Sequence, residues 1–327
     1  MPAALGPDSA TPSTTHDSQT AGAVMMVCPA CFGWNPQTQD SNSFQRAGAV
    51  SGDSAAATAR REFDALVDAL GAAGIEVHAL DDRPEPACPD AVFPNNWVSF
   101  HADGTVVLYP ILAPNRRPER RMDLLLQLET AGGFAVHRLV DLTHHERDGA
   151  FLEGTGSLVL DHHARVAYAC LSPRTHPEPL RDFCDELGYE PFVFSASDAA
   201  GMPVYHTNVV LSIGGAVTIV AAGNVAAADR ARLLEHLSRS GRLIVPIDRE
   251  QTLGFAANVL ELRGRDGAKV LAMSSRAVAS FPATVLARIA AAVDRVVAVP
   301  VPTIEALGGG SVRCMLAEVF LPRAELA

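Results

Sequence analysis

Cys314 lies in the run LGGGSVRCMLAEVF, a short step after three consecutive glycines, Gly308–Gly310. Glycines of this kind allow positive φ and let the backbone approach a ligand closely. A thiol reacts near neutral pH when a base or a cationic partner favours its thiolate, and an imidazole can supply either. His206, in GMPVYHTNVVLSI, is the natural partner, and Glu153, in FLEGTGSLVL, places a carboxylate beside an apolar strand. A charge there is costly to bury unless it is paired. Each residue alone has a plainer account: a buried cysteine at a strand start, a satisfied core histidine, a loop carboxylate in water. Spacing is what ties them together. Asn96 precedes Glu153 by 57 residues, Glu153 precedes His206 by 53, His206 precedes Asn258 by 52, and Asn258 precedes Cys314 by 56.

That interval is the period of a repeated supersecondary unit. Hairpins are expected over Asn95–Pro110, Gly154–Cys170, the run VVLSI-GG-AVTIV and Asn258–Met273, two of them split by Asp-Gly. A last strand, Cys314–Leu321, has no hairpin partner after it, and Val24–Cys31 near the other end can supply one. Between hairpins lie helical patterns near residues 55–73, 118–131, 178–187, 226–240 and 282–293, each followed by a short β-rich run such as IEVHAL or RLIVPI. Phe63, Leu66, Val67 and Leu70 fall on one helix face. Periods of this length indicate radial or solenoid repetition, and five units whose termini meet suggest a closed α/β propeller. A doubly wound sheet would show the same alternation, but no G-x-G-x-x-G opens a helix and there is no P-loop. In such a ring the hairpin entrances converge, bringing Asn96, Glu153, His206, Asn208 and Cys314 to one place.

Composition sets the class. The 327 residues are 48% hydrophobic and 19% charged, as in a globular chain. Lys plus Arg number 26 against 37 for Asp plus Glu, a net charge of −11, which disfavours nucleic acid or an anionic membrane as partner. Six cysteines are too few for a disulfide scaffold. Cys28-Pro29-Ala30-Cys31 lacks a second pair to complete a zinc site, and His144–His145 and His162–His163 read as solvated loop residues, so neither metal nor cofactor is expected. The charge-free stretch from Asp198 to Asp229 contains His206, Asn208 and a Gly-Gly break, a buried hairpin rather than a membrane span. Residues 1–23 read as a flexible tail without signal-peptide character, leaving residues 24–327 as a single, cytoplasmic domain for which a homo-oligomer is compatible.

The runs PDAVFPNNW, LEGTGSLVLD, LSPRTHP, YHTNV, NVLEL and GGGSVRCM together resemble the guanidino-group-modifying superfamily, the pentein α/β propellers, over about residues 24–321. FGWNPQTQDSNSFQ and LYPILAPNRRPERR resemble its citrulline-utilisation (citrulline ureidase) group. The resemblance implies a five-fold pseudosymmetric fold of ββαβ-type units with Cys314, His206 and Glu153 catalytic. It also implies Arg174 and Arg116 at a substrate carboxylate, with Asp90 near the α-amino end or shaping the pocket. For Arg116 and Arg117 a solvated basic turn is the competing account. Deiminases of this superfamily carry carboxylates where this chain has Asn96 and Asn208. A neutral amide cannot neutralise a buried cation, but it can donate to and accept from a ureido group. The expected activity is therefore hydrolysis of citrulline to ornithine, ammonia and carbon dioxide through a covalent Cys314 adduct. Arginine dihydrolase, deiminase or dimethylarginine hydrolase activity is the alternative, and a non-catalytic propeller module is the alternative of another class.

Overall fold

The structure, a computed structural model, describes residues 18–46 and 52–324. It is an α/β fold in which one strand pattern recurs five times: an antiparallel pair followed by a parallel third strand. β1 (Ala23–Cys28) runs parallel to β2 (Glu76–Asp81). β3 (Val98–Phe100) and β4 (Thr105–Leu108) are antiparallel, and β5 (Arg138–Asp141) joins β4 in parallel. The same order holds for β6 (Leu158–Asp161), β7 (Val166–Cys170) and β8 (Glu190–Phe194). It holds again for β9 (Leu211–Ile213), β10 (Val217–Val220) and β11 (Leu243–Pro246). β12 (Leu260–Arg263), β13 (Lys269–Ser274) and β14 (Arg295–Val299) form the fifth set. β15 (Ala317–Val319) completes the first unit by pairing antiparallel with β1, as the unpartnered last strand requires. It also touches β3 through Val319 and Phe100, merging two units into one six-stranded sheet.

A helix precedes the third strand of each unit: Gly52–Ala72, Met122–Thr130, Pro177–Leu187, Ala227–Ser238 and Ala283–Ala292. Phe63, Leu66 and Leu70 are buried on the first, and Leu124, Leu125 and Leu128 on the second. Such a side chain contributes about 1.5–3 kcal/mol when fully buried. The sequence pattern missed a set of short helical turns at the strand entrances: Pro94–Asn96, Gly154–Ser157, Thr207–Val209 and Val312–Met315.

One cavity is lined by the first strand or strand flank of every unit, with Ser99, Leu160, Ser212, Glu261 and Glu318 as representatives. Gln19 enters it. Its amide donates to the carbonyls of Leu160 (2.9 Å) and Ile213 (3.2 Å), and its oxygen accepts from the His162 backbone N–H. The expected tail is therefore too long, because Gln19 and Ala21 are buried. Residues 1–17 of that expectation lie outside the described residues. Among the described residues, no helix is long and apolar enough to cross a membrane.

Buried histidines set an acid limit on this fold. Burial pushes His101 down to about 4, although Ser99 bonds its ring at 2.7 Å, and burial pushes His206 down to about 4 as well. Below pH 6.5 the unfolded chain takes up protons that these rings do not. Stability therefore falls as pH drops from 6.5 toward 4, by up to about 3 kcal/mol per ring at about 1.4 kcal/mol per unit. Urea unfolding between pH 7 and 4.5 should show this slope, and a shallower one in His101→Gln. Equal slopes in the two proteins would refute the assignment.

Candidate active site

The entrance turns carry the expected residues. Asn96, Asn208 and Cys314 lie within turns, while Glu153 and His206 each stand at the residue that begins one. Asp90, Asn96, Arg116, Arg174, His206 and Cys314 all line one small pocket. Glu153 lies behind them with no exposed surface.

Glu153 Oε2 accepts from His206 Nε2 at 2.8 Å and from Arg174 Nη1 at 3.4 Å, and stands 3.9 Å from Arg116 Nη1. Its Oε1 accepts from the Leu112 backbone N–H at 3.1 Å. Burial alone would raise this carboxyl, but Arg174, the His206 bond and Arg116 together hold it well below the usual carboxylate range. An ionised carboxylate only accepts, so His206 carries its proton on Nε2 and is neutral near pH 7. Glu153 therefore orients the imidazole.

Cys314 is 3% exposed and sits between two amides. Asn258 Nδ2 donates to Sγ at 3.2 Å, and Asn208 Nδ2 lies at 3.6 Å. Burial pushes the thiol up, with Asn258 opposing. In the spacing argument Asn258 was only a landmark of the period; nothing in its sequence context marked it as a contact of the thiol. Of the three glycines upstream, Gly309 has φ +65°. Gly156 matters for space: a Cβ there would lie 2.6 Å from Asn96 Nδ2 and 2.7 Å from His206 Nδ1.

Arg116 is 2% exposed, which overturns the solvated-turn account for this residue. Nε and Nη2 donate to the two oxygens of Glu119 at 2.9 Å each, and Nη1 donates to Asn96 Oδ1 at 2.9 Å. Glu119 escaped sequence reasoning because it looked like one more charge in a basic run. Burial raises it to about 7 against the pull of Arg116. Arg117 is half-exposed and pairs with Glu146. Asp90 Oδ2 accepts from Asn35 Nδ2 at 2.7 Å and stands 3.6 Å from Arg116 Nε, whereas its buried Oδ1 has no hydrogen-bond partner among the described residues. Arg174 donates to the Thr38 carbonyl at 3.0 Å and the Ser41 hydroxyl at 2.7 Å, and lies over the Tyr205 ring. A carboxylate reaching Arg174 would have to exchange with those contacts. Asn96 is likewise engaged on both sides, its Nδ2 donating to Asn95 Oδ1 at 3.1 Å.

A family model described as N,N-dimethylarginine dimethylhydrolase, eukaryotic, matches residues 28–321. No curated protein matches the chain in sequence. Among solved structures, the apo form of ArgZ, an arginine dihydrolase from the ornithine–ammonia cycle in cyanobacteria, superposes with a TM-score of 0.71 at 17% identity, covering 92% of this chain and 41% of that one. The chain thus spans about two fifths of full-length ArgZ. The substrate-bound N-terminal domain of ArgZ alone gives a TM-score of 0.69 at 18% identity, covering 91% of this chain and 99% of that one. A dimethylarginine dimethylaminohydrolase adduct with S-methyl-L-thiocitrulline gives 0.60 at 16% identity, with coverage of 91% and 99%. At these identities the likeness is one of fold.

The Cys314 surroundings predict its reactivity. Alkylation at Cys314, followed by peptide mass spectrometry, should be slow at pH 7 and rise only above pH 9 in the free protein. Asn258→Ala removes the donor at 3.2 Å and should slow labelling at pH 9 by roughly tenfold, given about 1.4 kcal/mol for such a bond. Asn208→Ala should do less. Fast labelling at pH 7, or no change in Asn258→Ala, would contradict this reading of the thiol.

Proposed function

Because the chain belongs to the N,N-dimethylarginine dimethylhydrolase family, within the guanidino-group-modifying superfamily, we propose that it is a cysteine-dependent hydrolase of a guanidino carbon on an arginine-like amino acid. The observation that carries this reading is the charge of the small pocket. Asp90, Arg116, Arg174 and a neutral His206 line it, Glu119 and Glu153 are buried behind them against the two arginines, and one oxygen of Asp90 has no partner among the described residues. We read Glu119 as ionised because Arg116 engages both its oxygens. Three carboxylates against two guanidinium groups leave one negative charge in a dry site. An amino acid with a guanidinium side chain carries one net positive charge and completes the balance. A neutral ureido amino acid does not.

In the proposed reaction a guanidinium beside Cys314 favours the thiolate, which burial otherwise disfavours. Cys314 gives its thiol proton to His206, Sγ bonds the guanidino carbon, and the resulting imidazolium gives that proton to the departing amine as the C–N bond breaks. A water then adds to the carbon while His206 takes its proton, and the C–S bond breaks to return the thiolate. Glu153 stabilises the imidazolium at 2.8 Å. Arg174 and Arg116 would meet the substrate carboxylate, Arg174 by exchanging its contacts with Thr38 and Ser41, and Asp90 Oδ1 would take the α-amino group. Closure of the five units into a propeller belongs to the same proposal. It is supported by the cavity that every unit lines.

Citrulline is the second reading, favoured by Asn208, whose neutral amide faces Cys314 where a carboxylate would clamp a cation. Asn96 no longer argues for it, because Arg116 and Asn95 consume its amide.

Parallel assays of product formation from L-arginine, asymmetric dimethylarginine and L-citrulline decide the matter. Turnover of a guanidino substrate is expected, lost in Cys314→Ala and reduced by about 10²–10⁴ in His206→Ala. Asn208→Asp should lower KM for the guanidino substrate and raise it for citrulline. Turnover of citrulline alone would establish the second reading. Full activity in Cys314→Ala would remove the mechanism.

A further inference from the structure

Outside the pocket, the 3-10 helix Thr143–Asp148 packs against the helix Pro177–Leu187 and brings His144, His145 and Asp182 together. The expectation of two solvated histidines fails for His145, which is 9% exposed. His145 Nε2 lies 2.8 Å from Asp182 Oδ2, and His144 Nε2 lies 3.9 Å from the same oxygen. The three ligand atoms fall within 4.8 Å of one another. His144 Nδ1 stands 3.2 Å from the Asp141 carbonyl. A carbonyl only accepts, so the proton sits on Nδ1 and the Nε2 lone pair is left toward Asp182. A backbone carbonyl holding the second nitrogen in this way fixes the tautomer that a metal-ligating histidine needs at His144, whereas His145 Nε2 donates to Asp182 and a metal would take the place of that proton. Asp141, Asp185 and Glu186 line the same groove, while its arginine, Arg138, is already paired with Glu186.

We propose that His144, His145 and Asp182 form a zinc-type site, two imidazole nitrogens and one carboxylate oxygen with further positions open to water or Asp185. Two imidazoles with a carboxylate suit Zn²⁺ among the divalent ions and disfavour Ca²⁺ or Mg²⁺, which take oxygen ligands. Zn–ligand bonds of about 2.0–2.2 Å place tetrahedral donors roughly 3.3 Å apart. His145 and Asp182 are slightly closer than that and His144 slightly farther. His144 is half-exposed, and a small shift of its ring would close the difference.

The placement gives the site a consequence. The ligands flank the catalytic stretch of the third unit: the histidines precede Glu153, and Asp182 follows Arg174. Glu146, on the same 3-10 helix, accepts from the Ile111 N–H at 2.9 Å, and the adjacent Leu112 N–H donates to Glu153. A metal here staples the approach to Glu153 onto the helix behind Arg174.

The test is equilibrium dialysis of untagged, metal-free full-length chain against micromolar ZnCl2, with metal analysis and thermal melting. Cys314→Ser serves as background, because the pocket thiol is a competing ligand. One retained Zn²⁺ and a raised melting temperature are expected in wild type and in Cys314→Ser. Affinity should fall roughly tenfold or more in His144→Ala and Asp182→Ala, both at exposed positions, with the thermal shift lost. Retention unchanged in those two variants overturns the proposal. So does retention abolished by Cys314→Ser, or none in wild type.

Discussion

A carboxylate with no water around it constrains the rest of this molecule. Glu153 has no exposed surface, and taking an ion out of water costs several kcal/mol even after relaxation. The chain meets that cost with partners drawn from separated stretches: Arg116 and the Leu112 N–H from the second unit, Arg174 from the third, and His206 from the entrance to the fourth. Removing any one leaves a buried charge less compensated, an effect on the order of 3–5 kcal/mol where an ion pair is broken. The group that orders the imidazole is thus also a fastening between units. Residues that look catalytic in sequence are part of what holds the strand entrances together.

The entrances explain why such a cluster can exist. Each first strand is short, and in four of the five units the chain reaches it through a short helical turn. A turn gives three or four residues whose side chains point inward at different heights, where an extended strand would give alternate residues only. Gly154 and Gly156 let the turn that enters the third unit pass close to its neighbours. At Gly154, φ is +47° and a Cβ would lie 2.1 Å from the Asn95 carbonyl oxygen. Backbone packing at that point is tight enough that the turn, and hence Glu153, has one place to sit.

This division decides what could be read from sequence. Strand pairs, helices and the 52-to-57 spacing were legible because hydrophobic periodicity and Asp-Gly turns are local signals, and the pairing of the last strand with the first followed from counting unpaired strands. Cys314, His206, Glu153, Asn96 and Asn208 were legible as candidates because they share a phase of the repeat. Glu119, Asn258 and Gln19 were not. Glu119 gains its meaning from a bidentate contact with Arg116, Asn258 from a thiol 56 residues away, and Gln19 from two carbonyls on different units. Asn258 shares the period, but neither spacing nor local context says which of the residues at that phase touch one another. His145 was misread for the same reason: its partner, Asp182, is 37 residues on.

Charge balance, rather than any one residue type, separates the chemistry this pocket can support. Comparing residue types position by position suggested that two amides in place of two carboxylates would reject a cation. In the structure Asn96 is engaged by Arg116, and the carboxyl groups at and behind the pocket are Asp90, Glu119 and Glu153. A dry site responds to its total charge, because no solvent screens one group from the next. Burial raises Glu119 to about 7 while Arg116 engages both its oxygens, so the charge this carboxyl carries is tied to that one bidentate contact.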